Sequence, residues 1–399
     1  MTFLENLNYR GWPTTCSTCS ATQEGVAPGL KPYKQHEAVA GVDYQIARNI
    51  AFEARYDRRR LDHVIEDSSI AYAGTGSETF VIVNPGQGAN ATFTGFCNFI
   101  YGSTAAQGCA SSNGAFPPNN IIPAARSYDG LEFRVNKSIS NHWAGMFSYT
   151  YSHFRGNYTG LTSSDLADGG LGGRNSPNNS RAFDEPYFSY NANGGSSSGL
   201  LPTDRPNALK GYAYYELGWL KKFTTDFGIF QTAYSGSPNT SYMNVGYGSG
   251  FPVDVFNRGV WADVSQDPST GVITVGNPHT YRTPWYIQSD LNLSQSYKIS
   301  ESKAVTFTAT FNNLFNQHSV TAVNEQIDTN YGFNFATPGG YAFYQGTAFY
   351  AAAMNKYNVS DALNSNNNLG APETINSQYG KPMYFQLART IRLGAKFSF

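Results

Sequence analysis

The sequence predicts an all-β chain that forms part of an antiparallel transmembrane β-barrel wall. Nine segments alternate apolar and polar residues with a period of two, and the connections between them alternate between short and long. The composition is the third observation: 15% of the 399 residues are aromatic and 14% are charged, against roughly 25% charged in soluble domains. Barrel strands alternate lipid-facing and water-facing side chains, which accounts for the mean hydropathy of −0.40.

The charge balance and the apolar runs exclude two other classes. The chain has 27 basic and 28 acidic residues and a net charge of −1, whereas nucleic-acid-binding domains usually carry a basic patch. We therefore expect no nucleic-acid partner. A run of about 18 apolar residues, as a spanning helix requires, is not found. The first sixteen residues, MTFLENLNYRGWPTTC, lack the basic, apolar and small-residue regions of a secretory signal.

The first predicted hairpin lies between His36 and Asp57. Apolar residues from Ala38 to Ile46 occupy one parity, and polar residues dominate the other, with Val39 as the exception. After residues 47–49 the alternation restarts, with Ile50 to Tyr56 on one face. A tight turn between two antiparallel strands is therefore predicted.

The same unit recurs three times, and one further strand closes the chain. The predicted strands span residues 131–136 and 143–152, 209–217 and 223–232, 285–294 and 305–312, and 390–399. In the final strand, Ile391, Leu393 and Ala395 alternate with polar residues. Nine strands are therefore predicted.

The connections predict which end of each strand faces which side of the membrane. Four links are short, whereas those covering residues 66–127, 155–205, 237–283 and 317–382 are long. Compact soluble domains rarely contain structureless loops beyond about 15 residues, but outer-membrane barrels combine short periplasmic turns with long extracellular loops. Trp143 and Trp219 beside short turns and Trp285 at a loop end fit two aromatic girdles. A β-sandwich or solenoid is the alternative, and the loop lengths disfavour it.

An odd number of strands predicts an incomplete barrel. Bacterial single-chain barrels have even strand numbers, and an open sheet edge cannot face lipid. We therefore expect residues 1–34 to be the tail of an extracellular loop. Residues 35–399 are expected to be the C-terminal part of an outer-membrane barrel whose earlier strands are absent.

Several motifs resemble one family. The run from Phe311 to Asn316 (FNNLFN) is similar to the penultimate-strand signature of TonB-dependent outer-membrane receptors, and RTIRLGAKFSF, which ends at Phe399, is similar to their final strand. The stretches DRP, beginning at Asp204, and NSRAFDEP, from Asn179 to Pro186, resemble the Oar-like group. None of these motifs is catalytic.

The resemblance implies a function and a set of partners. It implies a 22-strand barrel with a plug domain, driven by the TonB complex, in the outer membrane of a Gram-negative-type bacterium. Its partners would be outer-membrane lipid, an unknown small ligand and the barrel-assembly machinery, for which Phe397 and Phe399 are the candidate signal. We expect energy-coupled uptake of a scarce carbohydrate, peptide or siderophore. The alternative is a passive porin-like or adhesin-like barrel.

Charged residues on the polar parity are candidates for the barrel lumen. They either line a substrate path and contact the plug, or pair across neighbouring strands. Both interpretations remain open from sequence. The candidates are Glu37, Asp43, Glu53, Arg55, Asp57, Glu132, Arg134, Lys210, Glu216, Asp226, Asp290, Arg392 and Lys396.

The four cysteines lie in predicted extracellular loops. An oxidising exterior favours disulfides, and we expect Cys16 to pair with Cys19 and Cys97 with Cys109. A zinc site is the alternative, although a second CxxC or HxxxH motif is missing. The sequence contains no HExxH, GxSxG or phosphate-binding loop, so we expect no catalytic, metal or cofactor site and no enzymatic activity.

Overall fold

The computed structural model of the chain describes residues 25–26, 29–71, 78–86, 123–160, 197–245, 251–329, 363–364 and 374–399. All named elements of this part are β-strands. They are β1 Gly25–Val26, β2 Lys34–Ala47, β3 Ile50–His63, β4 Glu66–Ala71, β5 Glu78–Val83, β6 Arg126–Ser140, β7 Trp143–Gly156, β8 Gly199–Leu200, β9 Asn207–Gly218, β10 Phe223–Tyr234, β11 Tyr242–Val245, β12 Phe251–Asp254, β13 Trp261–Gln266, β14 Ile273–His279, β15 Tyr286–Lys298, β16 Ala304–Asn312, β17 Val320–Val323, β18 Pro382–Phe385 and β19 Thr390–Ser398. No helix in these ranges is long and apolar enough to cross a membrane.

Nine long strands form one antiparallel meander in the order β2-β3-β6-β7-β9-β10-β15-β16-β19, and β8 pairs with β7 beside this path. The predicted all-β class and the nine predicted strands are confirmed. Several strands extend beyond the alternation. For example, β3 continues to His63, because its backbone pairing with β2 and β6 continues where outward residues are no longer apolar.

The short turn between β6 and β7 shows how local sequence sets a hairpin. Ser140 pairs with Trp143, so Asn141 and His142 alone form the turn. Their φ values are 51° and 69°. A two-residue hairpin loop of type I′ requires positive φ at both positions, and asparagine tolerates this conformation well.

Register places apolar and polar residues in alternating rows across the sheet. One row, read from β2 to β15, contains Val42, Ala54, Phe133, Tyr149, Leu209, Ala233 and Ile287. The adjacent row contains Asp43, Glu53, Arg134, Ser148, Lys210, Thr232 and Gln288. Because side chains of adjacent residues point to opposite faces of a strand, the sheet has one apolar face and one polar face.

Large apolar side chains are exposed on one face of the sheet, whereas some polar side chains on the other face are buried. On the apolar face, Phe307 is 60% exposed and Leu393 81% exposed. On the polar face, Ser148 and Thr232 are each only 8% exposed. Soluble proteins rarely expose contiguous apolar surfaces of this extent, so the apolar face needs a covering that is itself apolar.

Outward charges delimit the apolar band on β6. Leu131, Phe133 and Val135 lie between Asp129 and Lys137 on the same parity. Eight residue steps span about 26 Å along a strand, close to the apolar band of roughly 25 Å on outer-membrane barrels. At the turn end, Lys137 Nζ lies 3.9 Å from the ring centroid of Trp143, as expected where a lysine reaches from an apolar surface toward water.

The buried apolar core of the described part lies outside the nine-stranded sheet. It comprises Val64, Ala124, Tyr158, Leu201, Met243, Val255, Trp261, Ala262, Ile273, Val323, Ile327 and Leu363. These residues belong to the long connections or to the small sheets there, β1-β5-β4, β11-β12, β13-β14 and β17-β18. The connections that the alternation leaves as loops therefore contain packed structure of their own.

Stacked aromatic rings stabilise this loop structure. The rings of Trp261 and Tyr379 lie 4.5 Å apart at an interplanar angle of 6°. The Tyr379 hydroxyl donates to the carbonyl of Ala262 over 2.6 Å. Burial raises the pKa of Tyr379 above its ordinary value, so the hydroxyl keeps the proton that it donates.

Candidate ligand-binding surface on the polar face

Two arginines and two glutamates form a cross-strand network on β3 and β6. Arg55 donates to Glu132 over 3.0 Å, and Arg134 donates to Glu132 over 2.8 Å and to Glu53 over 3.2 Å. Asn136 donates to the other oxygen of Glu53 over 2.9 Å. Register explains the pairing, because Glu53 lies opposite Arg134 and Arg55 opposite Glu132. Cross-strand pairing therefore accounts for these four sequence candidates.

A second network ties β2 to β3 nearer the loop end. Arg59 forms ion pairs with Glu37 over 3.0 Å and with Asp57 over 2.6 Å. Its guanidinium carbon lies 5.7 Å from the ring centroid of Tyr128. The alternation identified Glu37 and Asp57, but not the cation between them, because Arg59 lies beyond the point where we expected the strand to end.

The remaining sequence candidates lie on the same face. Asp226 accepts from the Tyr214 hydroxyl over 2.9 Å, and Asp290 accepts from the Asn313 backbone amide over 2.8 Å. The others are placed by register: Asp43 opposite Glu53, Lys210 opposite Ser148, Glu216 opposite Asp226, Arg392 opposite Thr310 and Lys396 opposite Thr306. Their assignment to a lumen stays a prediction.

Cavities open on this face among the described residues. One of about 600 Å³ is lined by strand residues that include Arg134, Ser148 and Lys210, and by Arg205 from the segment before β9. A second, about 450 Å³, lies toward the long connections and shares Arg205 and Tyr234 with the first. A third of about 310 Å³ lies against the network of Glu53 and Arg134. Sequence patterning did not identify Arg205 as a site residue, because it precedes the strand.

The DRP motif anchors the segment before β9. Asp204 is fully buried and forms an ion pair with Arg282, and it also accepts from the Phe154 backbone amide over 2.6 Å. Arg282 donates to the carbonyls of Asp204 and Gly236, each over 3.1 Å. One carboxylate thus connects the ends of β7, β9 and β15.

The FNNLFN motif forms the turn that ends β16. Asn313 and Asn316 have φ values of 53° and 52°, a conformation that asparagine adopts more readily than most residues. Asn313 is buried, and its side-chain amide donates to the carbonyls of Gln317 and Leu387 over 2.8 and 2.9 Å. Asn316 accepts from the Arg389 backbone amide over 2.9 Å. The motif therefore fixes the start of β19 against β16.

Other sequence expectations lie outside the described residues. These are the cysteines at positions 16, 19, 97 and 109 and the stretch from Asn179 to Pro186. Within the described ranges, no group of three or more histidine, cysteine, aspartate or glutamate side chains is arranged to hold a metal ion.

Comparison with known proteins identifies related sequences. No family model matches the chain. Over 377 residues it is 25% identical to the TonB-dependent transporter Oar of Myxococcus xanthus, an alignment that covers 94% of this chain and 29% of the relative. The chain is related to the TonB-dependent receptors. The resemblance that the motifs indicate is confirmed, and the chain spans less than a third of the length of the curated relative that it matches.

Solved structures that are similar to the chain overlap with it only partly. The ferric-catecholate import receptor Fiu of E. coli K12 is 12% identical, with a TM-score of 0.33 over 78% of this chain and 27% of Fiu. The copper transporter OprC is 11% identical, with a TM-score of 0.30 over 73% and 27%. P. aeruginosa FpvA is 11% identical, with a TM-score of 0.33 over 74% and 25%.

Proposed function

We propose that this chain is the C-terminal part of the barrel wall of a TonB-dependent outer-membrane transporter, which takes up a scarce ligand by energy-coupled transport. The observation that carries the proposal is the inverted burial of the nine-stranded sheet. Its apolar face is exposed, as at Leu393, whereas its polar face includes buried residues such as Ser148 and Thr232. Lipid outside and water inside satisfy both faces at once. The alignment with Oar supports the same class.

The sheet is proposed to be completed by strands of a longer protein. A wall that ended at β2 and β19 would leave backbone N–H and C=O groups unpaired against lipid, which has no water to satisfy them. The alignment covers 29% of the curated relative. The rest of that relative is long enough to contain further strands and a plug. Residues 1–34 then belong to an extracellular loop, in line with the pairing of β1 and β5 between the connections.

The proposed partners follow from this assignment. Outer-membrane lipid covers the apolar face, a plug domain contacts the polar face, and the TonB complex supplies energy. Phe397 and Phe399, whose rings stack 5.9 Å apart, are the proposed signal for the barrel-assembly machinery. The proposed ligand is a carbohydrate, a peptide or a siderophore, captured by the structured connections.

Liposome swelling separates active transport from the passive alternative. The full-length protein is reconstituted and exposed to an iso-osmotic arabinose solution. A plugged transporter does not admit the sugar, whereas a variant lacking its plug domain does, and the purified periplasmic domain of TonB binds the full-length protein. Rapid swelling with the full-length protein, without TonB binding, would instead establish a passive porin-like channel.

A further inference from the structure

The two larger cavities on the polar face meet at Arg205 and Tyr234. Both residues line the cavity of about 600 Å³, which extends along β7 and β9, and the cavity of about 450 Å³, which extends to Thr283 and Thr321. A group that passes from the long connections toward the middle of the strands would therefore pass these two side chains.

Cations outnumber carboxylates in the larger cavity. Its charged lining residues are Glu132, Arg134, Arg205 and Lys210. Glu132 is already bonded to Arg55 and Arg134, so its charge is neutralised locally. Within the described part of the chain, no carboxylate forms an ion pair with Lys210, whose Nζ lies 5.7 Å from the Tyr234 ring centroid.

Of the two cations Arg205 and Lys210, Arg205 has the greater need of an anionic partner. Its neighbour Asp204 has both oxygens engaged, one by Arg282 and one by the Phe154 amide. Among the described residues, no ion pair reaches the Arg205 guanidinium. Burial, and then the positive charge of Arg282, lower the pKa of Arg205, but a guanidinium still remains charged. Asp204 attracts this charge, but its carboxylate is also engaged by Arg282 and the Phe154 amide, so the partly desolvated Arg205 gains from a further anionic partner.

We propose that Arg205 and Lys210 together bind an anionic group of the transported ligand, a carboxylate or a phosphate, at the junction of the two cavities. This assignment rests on the proposed function. Arginine offers a planar pair of donors that fits either group, and the Ser148, Thr150 and Ser152 hydroxyls line the same cavity. A negatively charged ligand would thus be favoured over a neutral or positively charged one before it reaches the paired network of Glu53 and Arg134.

Equilibrium binding to the full-length protein in detergent tests the proposal. The probes are citrate and inorganic phosphate, titrated calorimetrically, with uncharged raffinose as the reference. We expect at least one anion to bind more tightly than raffinose. Arg205→Gln should weaken binding of that anion by about tenfold or more, since loss of one buried partner of a charge pair acts strongly on affinity. Lys210→Gln should weaken it less, and Arg205→Lys should retain part of it.

The matched control is Lys303→Gln, which removes an exposed cation from the turn between β15 and β16, outside the lining of both cavities. It should leave anion binding within about twofold, because charges more than a Debye length apart are largely screened. Heat-modifiable migration in gels verifies that each variant is folded. If Arg205→Gln does not fold, the anion affinities of Lys210→Gln and Arg205→Lys test the proposal instead.

Three outcomes would overturn the proposal. The first is that neither anion binds better than raffinose, and the second is that Arg205→Gln binds as the wild type does. The third is that the anions bind only after the plug domain is removed, which would show that Arg205 pairs with an acidic side chain of the protein itself. The measurement requires no TonB, so anion binding in a protein that proves to be a passive channel would contradict the proposed function and not this site.

Discussion

Asp204 and Arg282 form an ion pair that joins the segment before β9 to the segment before β15, 78 residues further along the chain. The aspartate is fully buried, and the arginine side chain is 23% exposed. The close approach beside them requires glycine at position 236, where a Cβ would lie 1.6 Å from the carbonyl oxygen of Thr283. This contact sets the loop ends of neighbouring strands against each other and positions Arg205 at the cavity junction.

Removal of either partner should destabilise the protein. Breaking a buried ion pair costs about 3–5 kcal/mol, because one charge stays buried without its partner. We expect Asp204→Asn and Arg282→Gln each to lower the free energy of unfolding by about that amount, measured by urea unfolding of the reconstituted protein. Asp129→Asn, at a half-exposed pair with Arg60, is the control and should cost less than about 1 kcal/mol. Wild-type stability in both Asp204 and Arg282 variants would show that the pair is dispensable.

Adjacent substitutions on β16 should have opposite consequences for assembly. Phe307 lies on the exposed apolar face, where an arginine at the membrane midplane costs about 2–4 kcal/mol. Thr308 lies opposite Gly394, which has no side chain, so the polar face can accept a longer residue there. Phe307→Arg should impair assembly in an outer-membrane folding assay, whereas Thr308→Arg should not. Equal assembly of both variants would reject the assignment of faces.

Asn313 should be required for its hydrogen bonds as well as its backbone conformation. Asn313→Gly keeps the positive φ accessible but removes three side-chain hydrogen bonds, to Gln317 twice and to Leu387. Unsatisfied buried groups cost about 1–3 kcal/mol each, so we expect Asn313→Gly and Asn313→Ala both to lower the unfolding free energy, the alanine variant more. If the glycine variant matched the wild type, the conformation alone would explain the motif.

The cysteine pairing remains a prediction from sequence. Non-reducing peptide mapping of the protein isolated from outer membranes should recover Cys16 linked to Cys19 and Cys97 linked to Cys109. Four free thiols would refute the pairing. Zinc bound in stoichiometric amount, and lost together with structure on chelation, would favour the alternative metal site.

The sequence predicted the strands that a membrane would cover and missed the structure beyond them. Alternation is strong where the two faces are proposed to meet different solvents, lipid and water, as at Phe307 and Thr308. It weakens beyond the apolar band, so the end of β3 and the cation Arg59 were missed. The strands around Trp261, β13 and β14, do not alternate cleanly between apolar and polar residues. Asp204 and Asn313 were recognised as motifs, but their roles depend on partners such as Arg282 and Leu387, which are distant in sequence.

The most direct test measures which solvent each face of the sheet contacts. Single spin labels are placed along β16 in the full-length protein in liposomes, and collisions with oxygen, which concentrates in lipid, are compared with those of a water-soluble nickel complex. Collisions with oxygen should dominate at Val305, Phe307 and Ala309. Collisions with the nickel complex should dominate at Thr306, Thr308 and Thr310. A uniform profile along β16, or the reverse alternation, would contradict a barrel wall with lipid on its apolar face.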